Sequence, residues 1–329
     1  MTLSLSQKIL IKEILALKKK KKAIILAHNY QRPEIYHVAD AIGDSLNLCD
    51  LATRSKAKNI IFCGVNFMAE SAAILNPNKK VYIPALDAGC ALAETVDVKG
   101  LREFKKKYPN AATVCYINST VEVKAECDTI CTSSNAVQVV EALPNKEVIM
   151  LPDKNLAKFV AGQVKGKKII AWEGVCPIHQ NITPAMLKKA KKDNPGARLI
   201  IHPECATNVL EMADFIGSTS RMAEFARNNK SKKFIVVTEC GMINKIKEDA
   251  PEKEFFTVCN LCYDMKKITL ERVLHSLRYN QYEVKVDEKV AKKARKAFER
   301  MYELMQLKRQ SSKRKTTTKN SKLKSKIQK

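Results

Sequence analysis

Three cysteines that recur at equal intervals constrain the fold of this chain more than any other feature. Cys90, Cys176 and Cys262 are separated by 86 residues each, and each follows an apolar run rich in β-branched residues that is typical of a buried strand. The spacing predicts that the chain consists of three diverged copies of one α/β unit. A period of about 86 residues is too long for a solenoid repeat and suits three small domains.

Other segments recur in the same order and support this interpretation. Three predicted strands end in His or Asn beside further polar groups, in segments 23–30, 112–120 and 197–205. Three further strands each lead into a helix, in segments 60–71, 148–159 and 234–246. A hydroxyl-bearing helix start follows in every copy, at Asp44 and Ser45, in segment 131–136 and in segment 217–226.

The predicted fold class is α/β, with three related three-layer αβα domains arranged with pseudo-threefold symmetry around a central site. The predicted units are 1–88, completed by C-terminal helices in 264–307, then 89–175 and 176–263. Residues 308–329 are predicted to form a disordered basic tail. In open α/β sheets ligands bind at the carboxyl ends of the strands, and the polar groups of this chain cluster there.

Charge and hydropathy narrow the cellular setting. The net charge is +25, and the tail alone holds ten Lys or Arg and no Asp or Glu. We interpret the tail as a solvated segment, with loose contact to nucleic acid or a membrane surface as the alternative. No apolar run approaches the ~20 residues that span a bilayer, and residues 1–17 have no signal-peptide core. A cytoplasmic protein is therefore expected, with no membrane partner.

The thiols predict a metal centre. Eleven cysteines, an odd number in a long chain, argue against a disulfide scaffold. A structural zinc site usually has four protein ligands, whereas a [4Fe–4S] cluster held by three cysteines keeps one iron open to substrate. Cys259 forms a C-x-x-C pair with Cys262, which can indicate zinc or redox chemistry. The 86-residue interval selects Cys262 as the ligand.

Acid–base residues are predicted near these cysteines. His28 and His202 occupy the same place in two copies, whereas His37 and His275 are interpreted as structural. Glu204 lies two residues after His202, so both side chains can face the same side of an extended segment. The central site is expected to collect three cysteines together with His28, Tyr30, Tyr116, Asn118, His202 and Glu204.

A series of motifs connects the chain with a known family. In order, they are HNYQ (28–31), GDSL (43–46), FCGVNFMAES (62–71), YINST (116–120), CTSSNA (131–136), WEGVCPIH (172–179), HPEC (202–205), GSTS (217–220) and CYDMKKITLE (262–271). Together they cover about residues 5–285 and resemble the quinolinate synthase family.

The resemblance implies an enzyme of NAD biosynthesis that condenses iminosuccinate with dihydroxyacetone phosphate to quinolinate, a transferase-type reaction that releases phosphate and water. It also implies a [4Fe–4S] cluster with Cys90, Cys176 and Cys262 as ligands. An aspartate oxidase or dehydrogenase is the implied source of iminosuccinate. The family's folding into three α/β domains around the cluster agrees with the repeat.

The same resemblance carries site residues over to this chain. The implied substrate-binding set is His28, Ser45, Tyr116, Asn118, Ser133, His202, Glu204 and Thr219. Glu204 is expected to act as the general base, with Tyr30 and His202 assisting. Ser45, Ser133 and Thr219 are expected to hold carboxylate or phosphate oxygens at helix starts, with Ser134 as the alternative to Ser133.

Two other functions stay open at this point. An Fe–S hydro-lyase that dehydrates hydroxy acids would keep the three cysteines but would need no phosphate site. A non-catalytic metal-binding or redox-sensing protein would carry a saturated metal site and bind nucleic acid through the basic tail. Nucleic-acid binding is not expected for the enzyme.

Overall fold

Parallel strands form three four-stranded sheets in the computed structural model, which describes residues 3–327, with side chains through Lys308. Every sheet has the same order, namely the second strand, the first, the third and the fourth. The strands are β1 (Ala23–His28), β2 (Ala41–Gly43), β3 (Asn59–Cys63), β4 (Lys80–Tyr82), β5 (Ala112–Tyr116), β6 (Thr129–Cys131), β7 (Glu147–Leu151), β8 (Lys168–Ala171), β9 (Arg198–Ile201), β10 (Phe215–Ile216), β11 (Lys233–Glu239) and β12 (Glu254–Asn260).

Helices flank all three sheets, which confirms the predicted α/β class with three αβα units. The helices are α1 (Leu5–Lys20), α2 (Pro33–Tyr36), α3 (Ser45–Arg54), α4 (Asn66–Leu75), α5 (Val98–Lys106), α6 (Val121–Ala125), α7 (Ala136–Ala142), α8 (Lys154–Gln163), α9 (Pro177–Gln180), α10 (Pro184–Asp193), α11 (Thr207–Leu210), α12 (Thr219–Asn228), α13 (Met242–Asp249), α14 (Tyr263–Lys266), α15 (Leu270–Tyr279) and α16 (Glu288–Ile327). A 3₁₀ turn spans Ala93–Thr95.

The central strands form because helices cover both faces of each sheet. Along β3, Ile60, Ile61 and Phe62 are all buried, so the strand shows a continuous apolar run rather than an alternating one. Complete burial of one such side chain contributes about 1.5–3 kcal/mol. The first two sheets share one apolar core, to which one face of the third sheet adds Ile200 and Val236.

The repeat extends to hydrogen bonds at the amino ends of the strands. In every unit, an aspartate that precedes the second strand accepts a backbone N–H of the first strand. The pairs are Asp40–Ile25 at 2.7 Å, Asp128–Thr113 at 2.7 Å and Asp214–Leu199 at 2.8 Å. This shared bond fixes the start of the second strand against the first strand in each unit.

The C-terminal helices close the structure. Helix α15 packs on α1, whereas α16 packs on α6, β6 and α7 and also touches α4. The C-terminal segment therefore covers the second unit as well as the first, and the predicted domain boundaries stay a prediction. Because side chains from 309 onward and residues 328 and 329 lie outside the described part, the predicted disorder of 308–329 also stays a prediction. None of the helices described within 3–327 is long and apolar enough to cross a bilayer.

Candidate active site

A cavity of about 190 Å³ lies where the carboxyl ends of strands from all three sheets meet. The structure brings all twelve sequence-predicted site residues to its lining, namely His28, Tyr30, Ser45, Cys90, Tyr116, Asn118, Ser133, Cys176, His202, Glu204, Thr219 and Cys262. They come from positions up to 234 residues apart, so no single unit contains the site. Parallel α/β sheets place ligand sites at this end because the connecting loops there are free to vary.

Each of the three cysteines stands at the start of a short turn. Cys176 and Cys262 immediately precede α9 and α14, and Cys90 precedes the 3₁₀ turn. Burial raises the pKa of the Cys90 thiol to about 12 and also raises those of Cys176 and Cys262, although nearby backbone N–H groups favour each thiolate. A metal would displace these protons, because the thiolate is the form that binds metal.

Cys259, the other member of the C-x-x-C pair, has a different role. It forms a disulfide with Cys240, and it does not line the cavity. The two sulfurs meet because β11 and β12 are adjacent and Cys259 lies opposite Thr238 in the strand register. Sequence reasoning did not find this disulfide, since the cysteines are 19 residues apart and only the sheet brings them together. Cys262 is the member of the C-x-x-C pair that reaches the site.

A chain of polar contacts crosses the site from one tyrosine to another. The Tyr116 hydroxyl donates to Glu204 Oε1 at 2.5 Å, and Glu204 Oε2 lies 2.8 Å from His179 Nδ1. His179 Nε2 lies 2.9 Å from the Thr238 hydroxyl, which lies 2.7 Å from the Tyr30 hydroxyl. Glu204 is therefore hydrogen-bonded to Tyr116, whereas its contact with His179 has an ion-pair distance without the alignment of a hydrogen bond. The imidazole of His179 in turn reaches Tyr30 through the Thr238 hydroxyl.

The electrostatics of this series of contacts favour a charged Glu204 carboxylate and neutral Tyr30 and Tyr116 hydroxyls. Burial by itself raises the pKa of Glu204, but His179, His202 and the Tyr116 hydroxyl together hold it below its usual value. Burial, and then the charge of Glu204, raises the pKa of Tyr30 and of Tyr116 well above the usual value. Glu204 is thus the proton acceptor at rest, and both tyrosines are proton donors.

His28 and His202 are buried and neutral. Burial is the main reason that the pKa of each is lowered to about 3. His28 Nδ1 accepts the N–H of Tyr30 at 3.2 Å, and His202 Nδ1 accepts the N–H of Glu204 at 3.5 Å. A neutral imidazole that accepts at Nδ1 carries its proton on Nε2, so both histidines offer an N–H donor to an anionic ligand.

The three predicted hydroxyl residues do not have identical positions. Ser45 and Thr219 are the first residues of α3 and α12, where free backbone N–H groups favour an anion. Ser133 lies in the turn that precedes α7 rather than in its first turn. Ser133 lines the cavity, whereas the Ser134 hydroxyl bonds to Thr132 at 2.8 Å, so the structure favours Ser133 over Ser134 as a ligand contact.

Cys176, His179 and Glu204 could also hold a single metal ion. One potential ligand atom from each lies within 4.8 Å of the others. Both ring nitrogens of His179 and both oxygens of Glu204 already lie beside other polar groups, however, so a metal there would break the chain between the tyrosines.

Sequence reasoning did not single out His179, Thr238 or Lys266. His179 follows Cys176 by three residues, but the corresponding positions after the other two cysteines hold Ala93 and Met265, so the repeat gives no signal. Lys266 lies 3.0 Å from the Glu239 carboxylate at the edge of the cavity. Only the contacts between units identify these residues.

Fold and site define the class of this protein: a three-unit α/β enzyme whose cavity combines cysteine thiols with an acid–base chain. The family model described as Quinolinate synthetase A protein matches residues 12–303. The chain belongs to the quinolinate synthetase A family, which confirms the resemblance and places the enzyme in NAD biosynthesis.

Similar proteins match over nearly their whole length. The quinolinate synthase of Alkaliphilus metalliredigens is 48% identical over 286 residues, which cover 86% of this chain and 94% of the relative. That of Methanosarcina barkeri is 49% identical over 279 residues, or 84% of this chain and 91% of the relative. That of Clostridioides difficile is 45% identical over 283 residues, or 85% and 93%.

Proposed function

We propose that this protein is a quinolinate synthase, which condenses iminosuccinate with dihydroxyacetone phosphate to quinolinate and releases phosphate and water. The observation that carries the proposal is that three free cysteines, one after the fourth strand of each sheet, line the same cavity as the acid–base chain. The names of the relatives support the reaction. We propose the cytoplasm as its setting and an aspartate oxidase or dehydrogenase as the source of iminosuccinate.

The donor set fits a [4Fe–4S] cluster with three protein ligands. Cys90, Cys176 and Cys262 are free thiols, and no other cysteine of the described residues lines the cavity. The thiols are also close enough to one another that Cys262 and Cys176 each interact electrostatically with Cys90. When bound, such a cluster supplies a Lewis acid, because the iron without a protein ligand can polarise a substrate oxygen.

The neutral donors of the cavity suit the anionic groups of both substrates. His28 and His202 each offer an Nε2–H, and Ser45 and Thr219 add hydroxyls at helix starts. Iminosuccinate carries two carboxylates, and dihydroxyacetone phosphate carries a phosphate. Because the histidines stay neutral, they orient these groups by hydrogen bonds without forming ion pairs that would hold the released phosphate.

Proton transfer is assigned to the chain centred on Glu204. Ring formation requires protons to leave carbon and to reach departing hydroxyl groups. Tyr30 can pass its proton through Thr238 to His179, and Glu204 stabilises the imidazolium that results. Tyr116 exchanges a proton with Glu204 directly. Glu204 is thus the general base, and His179 extends its reach to Tyr30.

Chemical analysis and turnover test the proposal together. Anaerobically purified wild-type protein should contain about four iron and four sulfide per chain, and it should form quinolinate from iminosuccinate and dihydroxyacetone phosphate. Phosphate should appear in equal amount. The Cys262→Ala variant should lose the iron and the sulfide. Turnover of a hydroxy acid without phosphate release would favour the hydro-lyase instead. Zinc without sulfide would contradict the cluster and the Lewis-acid chemistry assigned to it.

A further inference from the structure

One backbone hydrogen bond aligns the three cysteine turns with one another. In every unit, a residue just beyond the third strand donates its N–H to the carbonyl oxygen of the residue two positions before the cysteine. The pairs are Asn66–Ala88 at 2.9 Å, Lys154–Gly174 at 2.8 Å and Cys240–Asn260 at 3.2 Å. Residues that precede these donors are therefore structurally equivalent, and they are Val65, Asp153 and Glu239.

Two of the three equivalent residues are buried carboxylates that accept the N–H of a cysteine. Asp153 Oδ2 lies 3.3 Å from the Cys176 nitrogen, and Glu239 Oε1 lies 3.1 Å from the Cys262 nitrogen. Val65 occupies the same place in the first unit and has no group that can accept a hydrogen bond from its side chain. Cys90 therefore lacks the contact that the other two cysteines share.

The second oxygen of each carboxylate is held by its own unit. Asp153 Oδ1 accepts the N–H of Leu156 at 2.6 Å at the start of α8. Glu239 Oε2 accepts the N–H of Gly241 at 2.6 Å. Each carboxylate thus bridges the end of the third strand and the cysteine turn, and two fixed N–H donors leave it little freedom to rotate.

Glu239 makes one connection that Asp153 lacks. Lys266 Nζ lies 3.0 Å from Glu239 Oε1 and donates to the carbonyl oxygen of Tyr30. The Glu239 carboxylate therefore connects the turn of Cys262 in the third unit with the backbone of Tyr30 in the first. Tyr30 is the tyrosine at the end of the proton-transfer series. This contact therefore sets the position of the Cys262 turn relative to Tyr30.

We propose that Asp153 and Glu239 are positioning residues that hold the backbone of Cys176 and Cys262 in the conformation that binds the cluster. The inference rests on the proposed function, since it assigns these residues to the same [4Fe–4S] site. A fixed backbone N–H orients the sulfur three bonds away, and loss of such an outer contact typically lowers metal affinity about 10–100-fold.

Amide substitutions test the inference, with two aspartates elsewhere in the same units as controls. Asn or Gln can accept one N–H, but its NH₂ group then faces the second N–H donor. Asp153→Asn and Glu239→Gln should therefore weaken the bond to the cysteine. Asp128→Asn and Asp214→Asn are the controls, because these carboxylates also accept a backbone N–H in the second and third units but lie at the opposite ends of the strands.

The measurement is the rate at which the anaerobically loaded, full-length protein loses its cluster to the iron chelator bipyridyl, followed by visible absorption. Amide hydrogen exchange of the cysteine turns is measured on the same samples. We expect Asp153→Asn and Glu239→Gln to release the cluster about tenfold faster and to exchange faster at the turn of the affected cysteine. Both controls should release it at the wild-type rate, whatever their folding stability.

The outcomes separate this inference from the proposed function. A wild-type chain that takes up no iron and sulfide would overturn both. A loaded wild type whose release rate and exchange match those of Asp153→Asn and Glu239→Gln would overturn the inference alone. Equally fast release from Asp128→Asn and Asp214→Asn would also overturn it, because the effect would then come from general loss of stability.

Discussion

The Tyr30 hydroxyl lies 2.7 Å from the Thr238 hydroxyl, although the two residues are 208 positions apart and belong to different units. The Thr238 hydroxyl also lies 2.9 Å from His179 Nε2. Among the described residues, it is the only group that links the Tyr30 hydroxyl to the His179 imidazole in this series of contacts. A hydroxyl can accept a proton on one side and donate one on the other, which is what transfer between Tyr30 and His179 requires.

Replacement of Thr238 by Val should therefore break proton transfer while it preserves the shape of the side chain. We expect turnover to fall about 10²–10⁴-fold with little change in substrate binding. Thr113→Val is the matched control, because Thr113 is equally buried in a strand and its hydroxyl has no hydrogen-bond partner. Steady-state kinetics of both variants give the answer. Equal losses in the two variants would contradict the assigned role of Thr238.

Glu204→Gln should remove the base that both tyrosines share. We expect iron and sulfide content to stay at the wild-type level, and turnover to fall about 10²–10⁴-fold, because Gln cannot accept a proton. Glu126→Gln is the control, since Glu126 forms a surface ion pair with Arg102 away from the cavity. Cluster analysis and quinolinate formation are measured on the same samples. A fully active Glu204→Gln enzyme would end the assignment of Glu204 as general base.

Stability should fall as the solution becomes acidic, because His28 and His202 stay neutral in the folded protein. Their pKa values of about 3 lie below the ordinary value of 6.5, so below pH 6.5 the unfolded chain binds protons that the folded chain does not. The contribution of these two histidines to the free energy of unfolding is complete above pH 6.5 and is lost progressively towards pH 3. From pH 7 to pH 5, each histidine should lower the free energy of unfolding by about 2 kcal/mol.

Urea unfolding at the two pH values measures this loss. His28→Asn keeps an acceptor for the Tyr30 N–H and cannot be protonated, so its pH dependence should be shallower than that of the wild type. His275→Asn is the control, since His275 is exposed on α15, and its pH dependence should match the wild type. An unchanged slope in His28→Asn would show that His28 is not held neutral.

The two neighbouring cysteines of the C-x-x-C pair should behave differently towards iron. Cys262→Ser should lose iron and sulfide, because Cys262 lines the cavity as a free thiol. The double variant Cys240→Ser/Cys259→Ser should keep both, because it removes only the disulfide between β11 and β12. Iron and sulfide analysis after anaerobic purification distinguishes them. Cluster loss in the double variant would show that Cys240 or Cys259 contributes to the cluster site.

Much of the site could be predicted because it is repeated. Cys90, Cys176 and Cys262 share one interval, and His28, Tyr116 and His202 occupy corresponding strand ends. Local periodicity identifies a strand and its end, and parallel topology then brings such ends to one edge of each sheet. Residue type and position along the chain were therefore enough to predict nine of the twelve site residues in the cavity, whereas Ser45, Ser133 and Thr219 came from the family resemblance.

The contacts between units could not be predicted in this way. His179 has no counterpart in the other two copies, and Glu239 and Asp153 correspond to an apolar Val65 in the first. The pairing of Cys259 with Cys240 likewise depends on which strands are neighbours. A repeat predicts what its copies share, so residues that differ between copies gave no signal.

The sequence by itself determined that this chain forms three α/β units with cysteines and polar groups at the carboxyl ends of their strands, because those properties follow from local residue patterns. Only the tertiary structure decided that Glu204 serves two tyrosines, with Thr238 and His179 completing the path to Tyr30. Hydrogen bonds act over about 3 Å, and the packing of one unit against another sets such distances.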